Sequence, residues 1–153
     1  MLIAHTVRFA HLSDPPGYPV GHILRRGEVV GRMGSSGQST GPHLHIDCIK
    51  GLRRSRYTQH DIERGAPAAA IRQLNFFCDG ELFGGPLWIT THYGDPAYQA
   101  AYNKVHCGLD LVPKGDGKEI HWNRSMPGRV IEILDDPHGY GHCVYVCFEI
   151  EEG

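Results

Sequence analysis

Four histidines and one aspartate stand at spacings that can do chemistry. His43 and His45 lie two apart in the run from Gly31 to Asp47, GRMGSSGQSTGPHLHID, where a Gly/Ser/Thr-rich loop passes through Pro42 into a short apolar segment. Successive side chains on a strand point to opposite faces, so the two imidazoles share one face while Leu44 and Ile46 point into the core. Such a pair can hold a metal, or one ring can hold it while the other moves a proton. The alternative is an edge strand with two solvated histidines. His106 and Asp110 in VHCGLDLV are also evenly spaced and can face one side of an extended chain. Alone they read as a surface ion pair; with His45 they make the two-His, one-carboxylate set that zinc enzymes use to leave a fourth position open. His11, closing RFAHLSD, is either a packed or solvated ring or a catalytic one.

The elements that must position these groups are short. Leu2 to His11 alternates and carries β-branched and aromatic residues, which predicts a strand ending at His11, and SDPPGY then turns the chain. Ile23 to Gly34 gives two short strands about Gly27, and the Gly34 to Thr40 loop leads to the His43/His45 strand, ending near Lys50 and Gly51. From Gly51 to Gly85 the chain is first basic, with Arg53, Arg54 and Arg56 reading as a solvated connector or a patch for a partner. An apolar helical pattern follows from Pro67 to Phe77, with Pro67 early and Gly80 beyond its end. Pro86 to Tyr93 is strand-like, GDPAYQAAYNK is a loop or short helix, and the His106 strand comes next. Further strands fall at Glu119 to Trp122, Gly128 to Leu134 (Val130, Ile131 and Ile133 facing the core) and GHCVYVCFEI. Cys48 and Cys107, at odd spacing from the histidines, are expected on the opposite face as core thiols. Cys143 and Cys147 share a face with His142 nearby, a second ligand set with no matching pair elsewhere.

Bulk properties bound the function classes. A chain of 153 residues forms one core, and a net charge of -2 argues against binding nucleic acid or an anionic membrane by bulk electrostatics. The 20 glycines and 10 prolines break the chain into short strands with many turns. No apolar run reaches the roughly 20 residues that span a bilayer, and MLIAHTVRF lacks the basic and apolar regions of a secretory signal. Five cysteines cannot all pair within the chain, so reduced thiols are expected. Eleven histidines favour a metal or proton-transfer role.

The run GEVVGRMGSSGQSTGPHLHID resembles the C-terminal signature of the lysostaphin/LytM-type zinc endopeptidases of peptidoglycan. RFAHLSD is similar to the Tyr-x-His-Leu-Ser segment that precedes it there, and HCGLDL to the family's His-x-Gly-x-Asp motif. PLWITTHYGD resembles the strand before that motif, and GRVIEILDDPHGYGHCVYVCFEI the strands after it. The likeness covers Leu2 to Lys50 and Pro86 to Glu151. It implies a mainly β fold: an antiparallel sheet of the lysostaphin/LytM (duplicated hybrid motif) type. The order of motifs is inverted, since His-x-Gly-x-Asp comes first in the family. The resemblance therefore implies a circular permutation of one peptidase domain over 1-153, with residues 2-50 as the second half of the pattern and 86-151 as the first. Residues 51-85, carrying one helix, join the ancestral ends.

By that resemblance His106, Asp110 and His45 are the ligands of one Zn²⁺, and His43 and His11 are the two non-ligand histidines beside the attacking water. His43 is assigned as general base and His11 as transition-state stabiliser, two jobs the sequence does not separate. The implied reaction is hydrolysis of an amide bond in a peptidoglycan cross-link or stem peptide, by a monomer made in the cytoplasm without a signal peptide. It would act on the cell wall, in phage-driven or bacterial lysis, after release or as a virion component. Two other readings stand beside this one: a catalytically silent, metal-holding module that recognises peptidoglycan or a partner protein, and a structural phage component with incidental histidines. The permutation predicts that the strands Gly141 to Glu151 and Leu2 to Phe9 are antiparallel neighbours, with Met1 close to Gly153. Ends on opposite sides of the molecule would contradict it.

Overall fold

The computed structural model describes residues 1–52 and 67–151, and over 67–71 the backbone alone. It is mainly β. A seven-stranded sheet is built from β1 (Leu2–Leu12), β2 (Ile23–Leu24), β4 (Leu44–Lys50), β5 (Leu87–Thr91), β6 (Leu109–Pro113), β8 (Gly128–Asp136) and β9 (Gly141–Glu151), in the order β2-β8-β9-β1-β4-β6-β5. Every neighbouring pair in it is antiparallel. β3 (Val29–Arg32) and β7 (Glu119–His121) form a separate antiparallel ribbon. The two short strands about Gly27 therefore do not pair with each other; β2 joins β8 and β3 joins β7.

Alternation divides the large sheet into two unlike faces. Val7 and Phe9, Leu44, Ile46 and Cys48, Leu109 and Leu111, and Val144, Val146 and Phe148 enter the main core. Helix α1 (Pro67–Phe77) closes that face, with Leu74 and Phe77 turned inward. The Phe77 ring meets Phe9, Trp122 and Phe148 edge-on at centroid distances of 6.1, 5.5 and 5.7 Å, the geometry aromatic quadrupoles favour. The opposite face carries Arg8, Ala10, His45, Asp47, Tyr145 and Asp110. Register sets these in rows: Arg8 stands opposite both Asp47 and Tyr145, and His45 opposite both Ala10 and Asp110.

β1 and β9 pair from Leu2↔Glu151 to Leu12↔His142, as expected, and the Met1 ammonium meets the Glu151 carboxylate. Gly153 and Arg53, Arg54 and Arg56 lie outside the described residues. The helix expected over Pro67 to Phe77 is present. That is the one helix expected in the connector, and among the described residues a further helix, α2 (Pro96–Tyr102), settles the region read as a loop or short helix. Asp95 caps it by accepting the Tyr98 amide at 3.1 Å, and Asn103 ends it in the left-handed region. Cys143 and Cys147 do not join His142 in a ligand set. Alternation along β9 sends both thiols into a smaller cluster with Ala10, Ile49 and Tyr145, while the His142 Nδ1 faces Asp135 at 3.7 Å. Among the described residues no helix is long and apolar enough to cross a membrane.

Because Phe77 is fully buried and joins the helix to the sheet, Phe77→Ala is expected to cost about 3–5 kcal/mol in denaturant unfolding. A loss below about 1 kcal/mol would contradict this packing.

Candidate metal centre

The paired strands bring the sequence-separated residues together. The His45 Nδ1 lies 3.0 Å from Asp110 Oδ1, across the β4–β6 pair, and the His106 Nε2 lies 3.2 Å from the same oxygen. One atom from each of the three residues falls within 4.8 Å of the others. Ligands about 2.0–2.1 Å from a tetrahedral ion sit roughly 3.3 Å apart. The two contacts to Asp110 match that edge, and the chemistry of the donor set suits a divalent ion.

Both imidazole ligands are held from behind. His106 donates its Nδ1–H to the His92 carbonyl at 3.0 Å, which leaves Nε2 as the atom facing Asp110. His45 donates its Nε2–H to Asp47 Oδ2 at 2.8 Å, which turns Nδ1 the same way. These outer contacts fix tautomer and ring orientation. His106 and Cys107 precede β6, where the chain bends instead of staying extended. A Cβ at Gly108 would collide with the Ile46 carbonyl, so only glycine allows this close crossing over β4.

The bend corrects two sequence expectations: His106 is not on a strand, and Cys107 is not on the opposite face. Cys107 does not turn to the opposite face as a main-core thiol; it lies on the histidine side, 3.5 Å from the Tyr140 hydroxyl and within bonding reach of His45. Cys48, as expected, enters the main core. Cys107 also completes a second group with metal-ligand chemistry, His45, Asp47 and Cys107. Charge separates the two groups. Arg8 bonds Asp47 Oδ2 through Nε, at 3.1 Å, and through Nη2, so that oxygen already faces a buried cation. A second cation there would be repelled at short range in a poorly screened interior. All three of His45, His106 and Asp110 line a cleft of about 370 Å³, which His45 and Cys107 of the other group also border.

His43 and His11 both border that cleft. His43 precedes β4, fixed by a bridge to Gly34, and its Nε2 is 3.7 Å from Asp110 Oδ1. Its Nδ1–H donates to the Gly41 carbonyl at 2.9 Å. His11 sits at a bulge in β1 with a left-handed φ of 60° and donates Nδ1–H to the Ser36 carbonyl at 2.7 Å. The two rings are 4.8 Å apart. Ser36 also accepts the His142 amide and donates to the Leu12 carbonyl. Gly141, at φ 69°, lets the β8–β9 turn press backbone to backbone on this loop.

Burial lowers the His11 pKa to about 4, against the Ser36 carbonyl that favours its charged form, so its Nε2 is a bare acceptor at neutral pH. Burial also opposes charge on His45, yet hydrogen bonds to Asp110 and Asp47 hold its pKa well above the ordinary value. Burial would raise Asp110, but His106 and His45 pull it below the usual carboxylate range. The same opposition holds at Asp47, where burial is outweighed by Arg8 and His45 and the pKa falls to about 2.

Arg8, Asp47, His92 and Tyr140 were not singled out by the sequence. Asp47 continues the even spacing of His43 and His45, and Arg8 is a charge inside an apolar strand, which was signal enough to ask what it pairs with. No family model matches the chain, and no solved structure matches it.

Asp47 titrates in the folded chain below its unfolded value of roughly 3.9, so its ionised form stabilises the fold above that pH. The contribution drains as pH falls from about 4 to about 2. Unfolding free energy of the metal-free protein should therefore drop across this window. Asp47→Asn should be about 3 kcal/mol less stable at pH 7, because Arg8 loses its buried partner, and should lack that share of the acid slope. An unaltered slope in the variant would contradict the assignment.

Proposed function

We propose that this chain is a zinc-dependent endopeptidase of the lysostaphin/LytM type, circularly permuted, which hydrolyses amide bonds in the peptides of peptidoglycan. One observation carries the reading: two imidazole nitrogens and a carboxylate oxygen converge at an open cleft with two further imidazoles beside them. The pairing of β1 with β9 supports the permuted order, and the motifs quoted above support the family.

His45, His106 and Asp110 would hold the zinc. When bound, zinc lowers the pKa of a coordinated water from 15.7 toward about 7 and polarises a carbonyl. His43 takes a proton at Nε2, the ring atom nearer Asp110, while the Gly41 carbonyl keeps Nδ1 protonated and gains strength as the ring becomes cationic. His11 enters the reaction neutral and orients the attacking water by accepting a hydrogen bond at Nε2. Its stabilising role is thus exerted on the nucleophile; with Nδ1–H committed to Ser36 it has no proton to offer an oxyanion. Gln38, Ser39, Thr40, Tyr98 and Tyr102 line the cleft with amide, hydroxyl and aromatic groups, suited to a short peptide in extended form.

Digestion of purified peptidoglycan followed by mass spectrometry of the fragments tests activity and identifies the bond together. Cleaved peptides are expected with zinc, none after chelation, and recovery when zinc is returned. His45→Ala should lose both zinc and activity. His43→Ala should keep zinc and lose activity by about 10²–10⁴-fold. Intact peptidoglycan, or full activity in either variant, would contradict the scheme.

A further inference from the structure

We propose that Arg8 is a positioning residue of the metal centre: it commits Asp47 to His45 and so decides which of two overlapping ligand groups takes the ion. The proposal rests on the reading of His45, His106 and Asp110 as metal ligands. Arg8 is 2% exposed and lies inside β1. Its guanidinium lies over the Tyr140 ring at 4.0 Å, with Nη1 3.5 Å from the Tyr145 hydroxyl, so packing above and beside it fixes its plane. From there Nε and Nη2 both donate to Asp47 Oδ2, the oxygen that accepts the His45 Nε2–H.

Three donors on one oxygen pin the carboxylate to a single arrangement, and two effects follow. His45 lies between two carboxylates, Asp47 on Nε2 at 2.8 Å and Asp110 on Nδ1 at 3.0 Å. With Asp47 fixed, Nε2 stays the donor and Nδ1 stays directed at the ion's position. Asp47 is also already balanced by a cation. On this proposal the His45, Asp47 and Cys107 group, whose atoms could themselves hold an ion, stays closed to one because Asp47 is not free to act as a ligand. Without the guanidinium the buried carboxylate seeks another cation, and a metal beside Cys107 supplies one.

The test is metal binding, not catalysis. Zn²⁺ affinity is measured by competition with a chromophoric chelator, and the absorption spectrum of the Co²⁺ form reports ligand type. Arg8→Met should weaken Zn²⁺ by about 10–100-fold, and its Co²⁺ form should gain a near-ultraviolet thiolate band that the wild type lacks. Arg8→Lys, which keeps the charge, should recover part of the affinity and show no such band. In an Asp47→Asn background the further change Arg8→Met should alter affinity less than about twofold, because Arg8 acts through Asp47. That comparison holds even where Arg8→Met alone fails to fold, since it leaves no buried carboxylate unpaired.

Wild-type affinity with an unaltered spectrum in Arg8→Met would overturn the proposal. So would an undiminished Arg8 effect in the Asp47→Asn background, or a wild type that binds neither ion. A wild type that binds one ion and cleaves no peptidoglycan would remove the enzymatic reading and leave this proposal standing.

Discussion

The register of three antiparallel strands is the constraint on which the site depends. β4 lies between β1 and β6 with Arg8 opposite Asp47, Ala10 opposite His45, and His45 opposite Asp110. A slip of one residue at either pairing would turn the imidazoles and carboxylates into the apolar core and the core residues toward the cleft. Leu44 and Ile46 resist the slip because they are wholly buried on the other face. Burying that face is what stations His45, Asp47 and Asp110, so stability and chemistry draw on one alternating pattern.

That arrangement puts charge where charge is costly. Asp47 is fully buried and Arg8 nearly so, and an unpaired ion at either place would cost several kcal/mol. The cost is offset because each satisfies the other while Asp47 also holds His45. Small Ala10 in the row beside Arg8 leaves room for the His45 ring, and Tyr140 covers the guanidinium from the turn between β8 and β9. Elements distant in sequence are tied to the site in this way: the Ser36 loop through His11, the β8–β9 turn through Tyr140, and the segment before β6 through His106.

Much of this was legible in the sequence wherever a two-residue period ran unbroken. The strands carrying His45 and Asp110, the helix from Pro67 to Phe77 and the pairing of β1 with β9 follow from alternation, from proline and glycine at helix ends, and from motif order. Legibility failed where the period broke. Cys107 was sent to the wrong face because strict alternation was assumed through a bend that Gly108 makes possible. His11 comes to the cleft through a bulge with left-handed backbone, a feature spacing does not reveal. The Arg8–Asp47 pair was missed for another reason: its partners lie 39 residues apart in sequence, and only register shows that they meet.

The donor set of two nitrogens and one oxygen, with a thiol close by but barred by charge, is the central claim. X-ray absorption fine structure of the zinc-loaded protein at neutral pH reads it directly. The account predicts one zinc per chain with only nitrogen and oxygen neighbours, at about 2.0–2.2 Å, two of them imidazoles. A sulfur neighbour near 2.3 Å, or zinc below one equivalent per chain, would contradict it.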